Sequence, residues 1–166
     1  MYAEFPMAKQ NFETGFLLNR ASFAMSRYLN HSFAKKGLAK FSTSFLGVMQ
    51  CLWEENGQNL TELALKIGLE SSSMTGLIDR MERANLVKRS KDDRDRRVWR
   101  VQLTRQGKEI EALAVGVIEK SYQDLTQDIS LKELELTKKV LLKMIENTGY
   151  ELRNFKPKRS KKGGSK

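Results

Sequence analysis

The stretch VKRSKDDRDRRVWRVQLT, Val87 to Thr104, crowds arginine and lysine around Asp92, Asp93 and Asp95. A solvated run of mixed charge needs no order and would neutralise itself in water. The flanks argue otherwise. Leu86 and Val87 precede the run, and Trp99, Val101 and Leu103 follow it at every second residue, the period of two short strands with one packed face. The charges then sit at a hairpin tip. Guanidinium groups held out on such a tip suit the narrow minor groove of a DNA duplex, and a neighbouring carboxylate can hold one of them in a single bidentate pose before it binds. Lys88, Arg89 and Lys91 would add salt-dependent affinity for phosphates without sequence choice.

A second set of candidates lies just upstream, in ESSSMTGLIDRMER. Short hydroxyl side chains near the start of a helix can bond to phosphates or base edges in a major groove. Ser72, Ser73 and Thr75 are read in that role, and Ser71 as a helix cap. Arg80, one to two turns further on, would reach a phosphate or pair with an acidic neighbour. Asp79 would meet the phosphate backbone as a like charge, so it is expected to orient an arginine instead.

Other chemistries find little support. The chain has 166 residues, one cysteine and one histidine, so Cys51 and His31 cannot form a disulfide or the usual four-ligand zinc site. No Gly-rich phosphate loop and no Ser/His/Asp set is present, which points away from an enzyme and from any cofactor or metal. No signal peptide or apolar run long enough for a membrane span is seen, and a cytoplasmic location without membrane contact is expected. The formal net charge of +10 favours a polyanionic partner. The terminal KPKRSKKGGSK carries six of the positive charges, so the hairpin weighs more than the total.

These side chains need a scaffold. Helical spacing predicts a first helix from Gly15 to about Ala34, ended by Gly37, and a second beginning near Ser42 or Thr43, closed by Asn56 and Gly57. Asn59 and Glu62 have the pattern of a capping box for a short helix over Leu60 to Ile67, and Gly68 stops it. Glu70 or Ser71 caps the next, with Met74, Leu77, Ile78 and Met81 on one stripe; two short helices joined by a glycine-containing turn make a helix-turn-helix. After the hairpin, Thr104 is expected to cap one long helix through Leu125. Ser130 and Glu133 form a capping box for a last helix through Leu134, Leu141, Ile145 and Leu152.

The order helix, helix, helix-turn-helix, charged hairpin, two long helices resembles the MarR family of winged-helix transcription regulators, from TGFLLNRAS at Thr14 to the end of the last helix. The densest likeness is LTELALKIGLESSSMTGLIDRMERANLVKRSKDDRDRRVWRVQLTRQGKEI. It repeats the family's Glu-Leu-Ala, the Asp-Arg-hydrophobic run late in the recognition helix, and a wing pattern met by Asp95, Arg97, Val101, Leu103 and Thr104. Gly76 and Asn85 depart from the family, which often has a long polar side chain at the first position and glycine at the second.

The resemblance implies a mainly α fold with a small β wing. A winged helix-turn-helix lobe at 42–104 would be joined by long N- and C-terminal dimerisation helices at 14–40 and 105–155, with a disordered basic tail at 156–166. It implies a sequence-specific regulator, with repression the expected sense, binding a pseudopalindromic duplex as a homodimer. Arg97 would enter the minor groove, aimed by Asp95, with Arg94 and Arg96 as further contacts, and glycine at Gly76 would let the backbone approach DNA closely. It also implies a small-molecule effector pocket, for which Phe45, Met49 and Trp53 are the candidate lining, although such a stripe is more often core. Two rivals stay open: a wing that docks on protein through Trp99, and a redox sensor acting through Cys51.

Overall fold

The computed structural model describes the backbone of residues 7–149 and side chains over 12–149. The expected tail at 156–166, and Leu152 of the last helix, lie outside the described residues.

Helix α1, Met7–Lys35, begins earlier than its apolar spacing suggested and ends where Gly37 takes a φ of +82°. That left-handed backbone suits a residue without Cβ. Ser42 then accepts the Ser44 N–H and opens a 3-10 turn, Thr43–Phe45, which runs into α2, Leu46–Glu54. Gly57 turns the chain at φ +81° into β1, Gln58–Asn59, a strand that the apolar pattern did not foresee. Gln58 is buried, and its Nε2 donates to the Cys51 and Glu55 carbonyls at 2.6 and 2.8 Å. The Cys51 carbonyl also accepts the Glu55 N–H at 3.0 Å, so the amide adds a second bond there and gives the Glu55 carbonyl, past the end of α2, a partner.

Helix α3, Leu60–Ile67, has the expected bounds. Asn59 Oδ1 accepts the Thr61 N–H at 2.8 Å, but no reciprocal bond from Glu62 is made, so Asn59 acts as a plain N-cap. Gly68, at φ +71°, stops the helix. The recognition-type helix α4, Ser71–Arg83, buries Met74, Leu77, Ile78 and Met81, while Glu70 occupies the cap position without a side-chain cap bond. Asn85, at φ +59°, makes the turn into the hairpin, the conformation for which asparagine substitutes for glycine.

Strands β2, Val87–Lys91, and β3, Trp99–Leu103, pair antiparallel, and β1 adds on the other side of β3. Val101 lies opposite both Gln58 and Arg89, and Lys91 opposite Trp99. Val101 and Leu103 are buried, but Trp99 is 43% exposed, with Lys91 Nζ 3.7 Å from its ring centre. The expected packed face is therefore one residue pair shorter than the alternation indicated. Trp99 sits at the outermost pair of the ladder, opposite Lys91.

The long helix expected after the hairpin is broken in two. Thr104 caps α5, Arg105–Glu109, by accepting the Gly107 N–H; Ile110, at φ −80° and ψ −7°, is the single residue that joins it to α6, Glu111–Leu125. Helix α7, Leu131–Asn147, opens on a complete Ser130/Glu133 capping box.

One core joins these elements, with Phe33, Met49, Leu52, Leu63, Met74, Ile78, Met81 and Val101 at its centre. Helix α1 enters it through Leu29 and Phe33, and α6 through Ala114 and Val117. Tyr28 also donates to Asp124, which Lys120 pairs from the next turn. No residue of α7 is buried; Leu131, Leu136 and Val140 are exposed, as are Phe12, Phe16 and Phe23 of α1. Among the described residues, no helix is long and apolar enough to cross a membrane.

Candidate nucleic-acid interface

Helix α4 is amphipathic by construction: Met74, Leu77, Ile78 and Met81 lie on one stripe, and the polar residues between them face out. Ser72, Ser73, Thr75, Asp79 and Arg80 are exposed. The Thr75 hydroxyl donates to the Ser71 carbonyl at 2.9 Å, which leaves its oxygen lone pairs outward. The hydroxyls of Ser72 and Ser73 make no hydrogen bond among the described residues.

Gly76 lies on the same helix. A Cβ built there would find only the Arg80 guanidinium, at 3.9 Å, so no packing reason requires glycine. Gly76→Ala is therefore expected to raise stability by about 1 kcal/mol, the helix-propensity difference, in a chemical denaturation series. A loss of duplex affinity in the same variant would assign the glycine to close approach of DNA.

The hairpin carries two ionic assemblies. The first ties β2 to α4. Arg89 Nη1 bonds Asp79 Oδ1 at 2.6 Å and Glu82 Oε2 at 2.8 Å, Nη2 donates to the Thr75 carbonyl at 2.9 Å, and the Arg89 N–H donates to Glu82 Oε1 at 2.7 Å. The Arg89 side chain is only 20% exposed. The expected phosphate contact is thus a clamp, with its fork closed on two carboxylates. Asp79 does face an arginine, though on the strand and not at the wing tip. Lys88, the neighbour of Arg89, stays exposed on β2.

The second assembly ties the wing together. Asp92 is buried and accepts the N–H groups of Arg94 and Asp95 at 2.8 and 3.0 Å, while Arg100 Nε closes on its other oxygen. Arg100 Nη1 in turn donates to the Gly57 carbonyl at 2.8 Å. The Arg100 guanidinium, followed by the Asp95 and Arg94 amides, holds the Asp92 carboxyl down at about 2. Its charge on the wing therefore persists through the neutral and mildly acidic range and is lost only as pH falls toward that value.

Around this base the tip is open. Arg94, Arg96 and Arg97 are exposed, and their guanidiniums make no ion pair among the described residues. The aim expected of Asp95 takes a different form: its Oδ1 accepts the Arg97 backbone N–H at 2.9 Å and does not hold the guanidinium. A carboxylate two residues back reaches the main chain more easily than the end of a long side chain, as in an Asx turn. Asp92, Arg100 and Glu82 were missed by the reading of motifs. The acid-to-arginine separations in the two assemblies, 10, 7 and 8 residues, follow no fixed spacing, and the pairs become contacts only once the strand register is known.

The stripe proposed for an effector pocket is packing. Phe45 and Met49 are buried in the core, and Trp53 stacks on Phe41 and donates to the Gly107 carbonyl at 2.9 Å. Apolar residues at i, i+4 and i+8 are what an amphipathic helix turns toward its neighbours. Burial also holds the Cys51 thiol above its ordinary pKa, the direction opposite to thiolate activation.

Residues 42–99, which hold the first assembly and all of the second but Arg100, match the model of the MarR family. The uncharacterised HTH-type transcriptional regulator YcgE of Bacillus subtilis is 39% identical over 109 residues, 65% of this chain and 70% of YcgE. The chain belongs to the MarR family. Its relatives are transcription regulators and not enzymes. The transcriptional activatory protein BadR of Rhodopseudomonas palustris is 33% identical over 68% of this chain, a match that spans 65% of BadR itself. A solved structure of reduced AbfR bound to DNA shares the MarR-family fold at a TM-score of 0.72, covering 86% of this chain and 94% of that one at 21% identity. The helix-turn-helix, the wing and the long flanking helices are thus a winged-helix MarR architecture.

Proposed function

We propose that this MarR-family regulator binds duplex DNA as a homodimer on a pseudopalindromic site. Each subunit sets Ser72, Ser73, Thr75 and Arg80 of α4 in a major groove and Arg97 in the adjacent minor groove, with Lys88, Arg94 and Arg96 along the phosphates. The observation that carries this is the pairing of an exposed hydroxyl-bearing face on α4 with an arginine tip whose guanidiniums make no ion pair among the described residues. Positive charge left unneutralised on a rigid hairpin is what a phosphate-lined groove attracts. AbfR, which has this fold, is bound to DNA in its solved structure. The apolar residues of α1 and α7 that one chain leaves exposed support a second copy covering them. Such a compact cytoplasmic dimer would act by occupying its operator, and repression is the sense we assign. BadR is by its name an activatory protein, so a reporter placed downstream of the selected site decides the sense.

Selection from a random duplex pool tests the reading, since half-sites about one helical turn apart follow from a symmetric dimer. Arg97→Ala is expected to weaken duplex binding roughly tenfold and to lower the salt slope by about one unit, with an unchanged dimer by light scattering. Duplex affinity equal to wild type in that variant would remove Arg97 from the groove. A wing that docked on protein through Trp99 would instead give little duplex binding and a flat salt response.

A further inference from the structure

Of the residues from Lys91 to Arg97, only Asp92 is buried. A carboxylate taken out of water at the root of an arginine-rich loop must gain partners there, and Asp92 has three: the Arg94 and Asp95 amides and the Arg100 guanidinium. The Asp92 N–H adds a fourth bond, to the Val98 carbonyl at 3.0 Å across the loop, and Val98 N–H closes on Asp95 at 2.9 Å. Arg100 carries the connection onward to the Gly57 carbonyl, at the turn that leads through β1 into α3. The loop bearing Arg94, Arg96 and Arg97 is therefore anchored through Asp92 and Arg100 to the turn that precedes the helix-turn-helix.

We infer that Asp92 is the positioning residue of the wing, acting with Arg100 to set the tip arginines in register with the recognition helix before DNA is met. This rests on the duplex-binding reading above and adds to it a residue that touches no DNA. The physical basis is preorganisation. A loop of five exposed residues would lose conformational freedom on entering a groove, and the clasp incurs that loss during folding. Asp92 contributes no attraction for phosphate, being an anion, so its effect must appear as placement and not as charge.

Asp92→Ala separates the two. The variant removes a negative charge, which by bulk electrostatics should leave duplex affinity the same or improve it. Placement predicts the reverse: a loss of about tenfold, with the slope of affinity against salt kept at the wild-type value because every basic group remains. Discrimination between A·T and G·C pairs beneath the wing should fall, while discrimination under α4 stays. Asp92→Asn keeps an oxygen for the two amides and should lie between. Amide exchange on the free protein gives a readout independent of DNA: the Arg94 and Asp95 N–H groups should exchange at least about tenfold faster in Asp92→Ala, with core amides unchanged.

Unaltered protection of those two amides, or wild-type affinity in Asp92→Ala, overturns the assignment. An affinity loss accompanied by a lower salt slope overturns it as well, since that marks lost contacts. If the wild-type dimer itself failed to bind duplex, the functional reading would fall and this inference with it. If the wild type bound and Asp92→Ala bound equally, only the inference would fall.

Discussion

Gly107→Ala is expected to destabilise the protein by about 3 kcal/mol or more, lowering the melting temperature by roughly 6–12 °C in a chain of this size. Gly107 lies in α5 with no positive φ, and alanine is the better helix former, so propensity alone predicts a gain of about 1 kcal/mol. Packing reverses the sign. A Cβ at Gly107 would sit 2.0 Å from the Leu86 carbonyl oxygen and 3.0 Å from its carbon. That carbonyl has no room to retreat, because it accepts the Thr104 N–H at 3.0 Å and the Thr104 hydroxyl at 3.2 Å. The other side of Gly107 is held as well, by the Trp53 indole on its carbonyl. The substitution must therefore push α5 off the hairpin or break the Thr104 cap. Thermal unfolding of Gly107→Ala beside Gly76→Ala makes the comparison direct: two helical glycines, one change, opposite signs. Equal stabilisation in both would show that α5 does not press on Leu86.

Arg89→Met should lower duplex affinity by about tenfold to a hundredfold, and the reason separates a clamp from a phosphate contact. With Arg89 gone, Asp79 and Glu82 remain on the side of α4 that carries the candidate DNA contacts, without their shared cation. Two carboxylates near a phosphate backbone repel it, and the Thr75 carbonyl loses a donor. Adding Asp79→Asn and Glu82→Gln to Arg89→Met removes the repulsion and should restore most of the affinity, with the salt slope near the wild-type value. Were Arg89 bound to a phosphate, the triple variant would stay as weak as the single one and its salt slope would be lower by about 0.9. Fluorescence anisotropy on one duplex over a salt series reads both quantities.

Several features of this regulator follow from short-range rules, and those were legible in the chain. The ends of α1 and α3 follow from Gly37 and Gly68, whose positive φ a side chain would oppose. The start of α7 follows from Ser130 and Glu133 bonding to each other's backbone three residues apart. The buried stripe of α4 and the exposed serines opposite it follow from 3.6-residue periodicity, and the hairpin follows from alternation. Each of these depends on residues within one or two turns, where chain geometry leaves few options.

What tertiary structure decided was partnership. Periodicity says which face of β2 Arg89 occupies, but that its guanidinium closes on Asp79 and Glu82 depends on how β2 crosses α4. Alternation placed Trp99 with Val101, yet in the last strand pair the indole is exposed beside Lys91. The two residues of β1 are too few to show a period, and they form a strand only because β3 presents an edge. The glycine of α5 looked like a weak point in a helix until Leu86, 21 positions earlier, came to lie against it. Local sequence sets the direction in which a side chain leaves its element; what it meets there depends on packing among elements far apart in the chain.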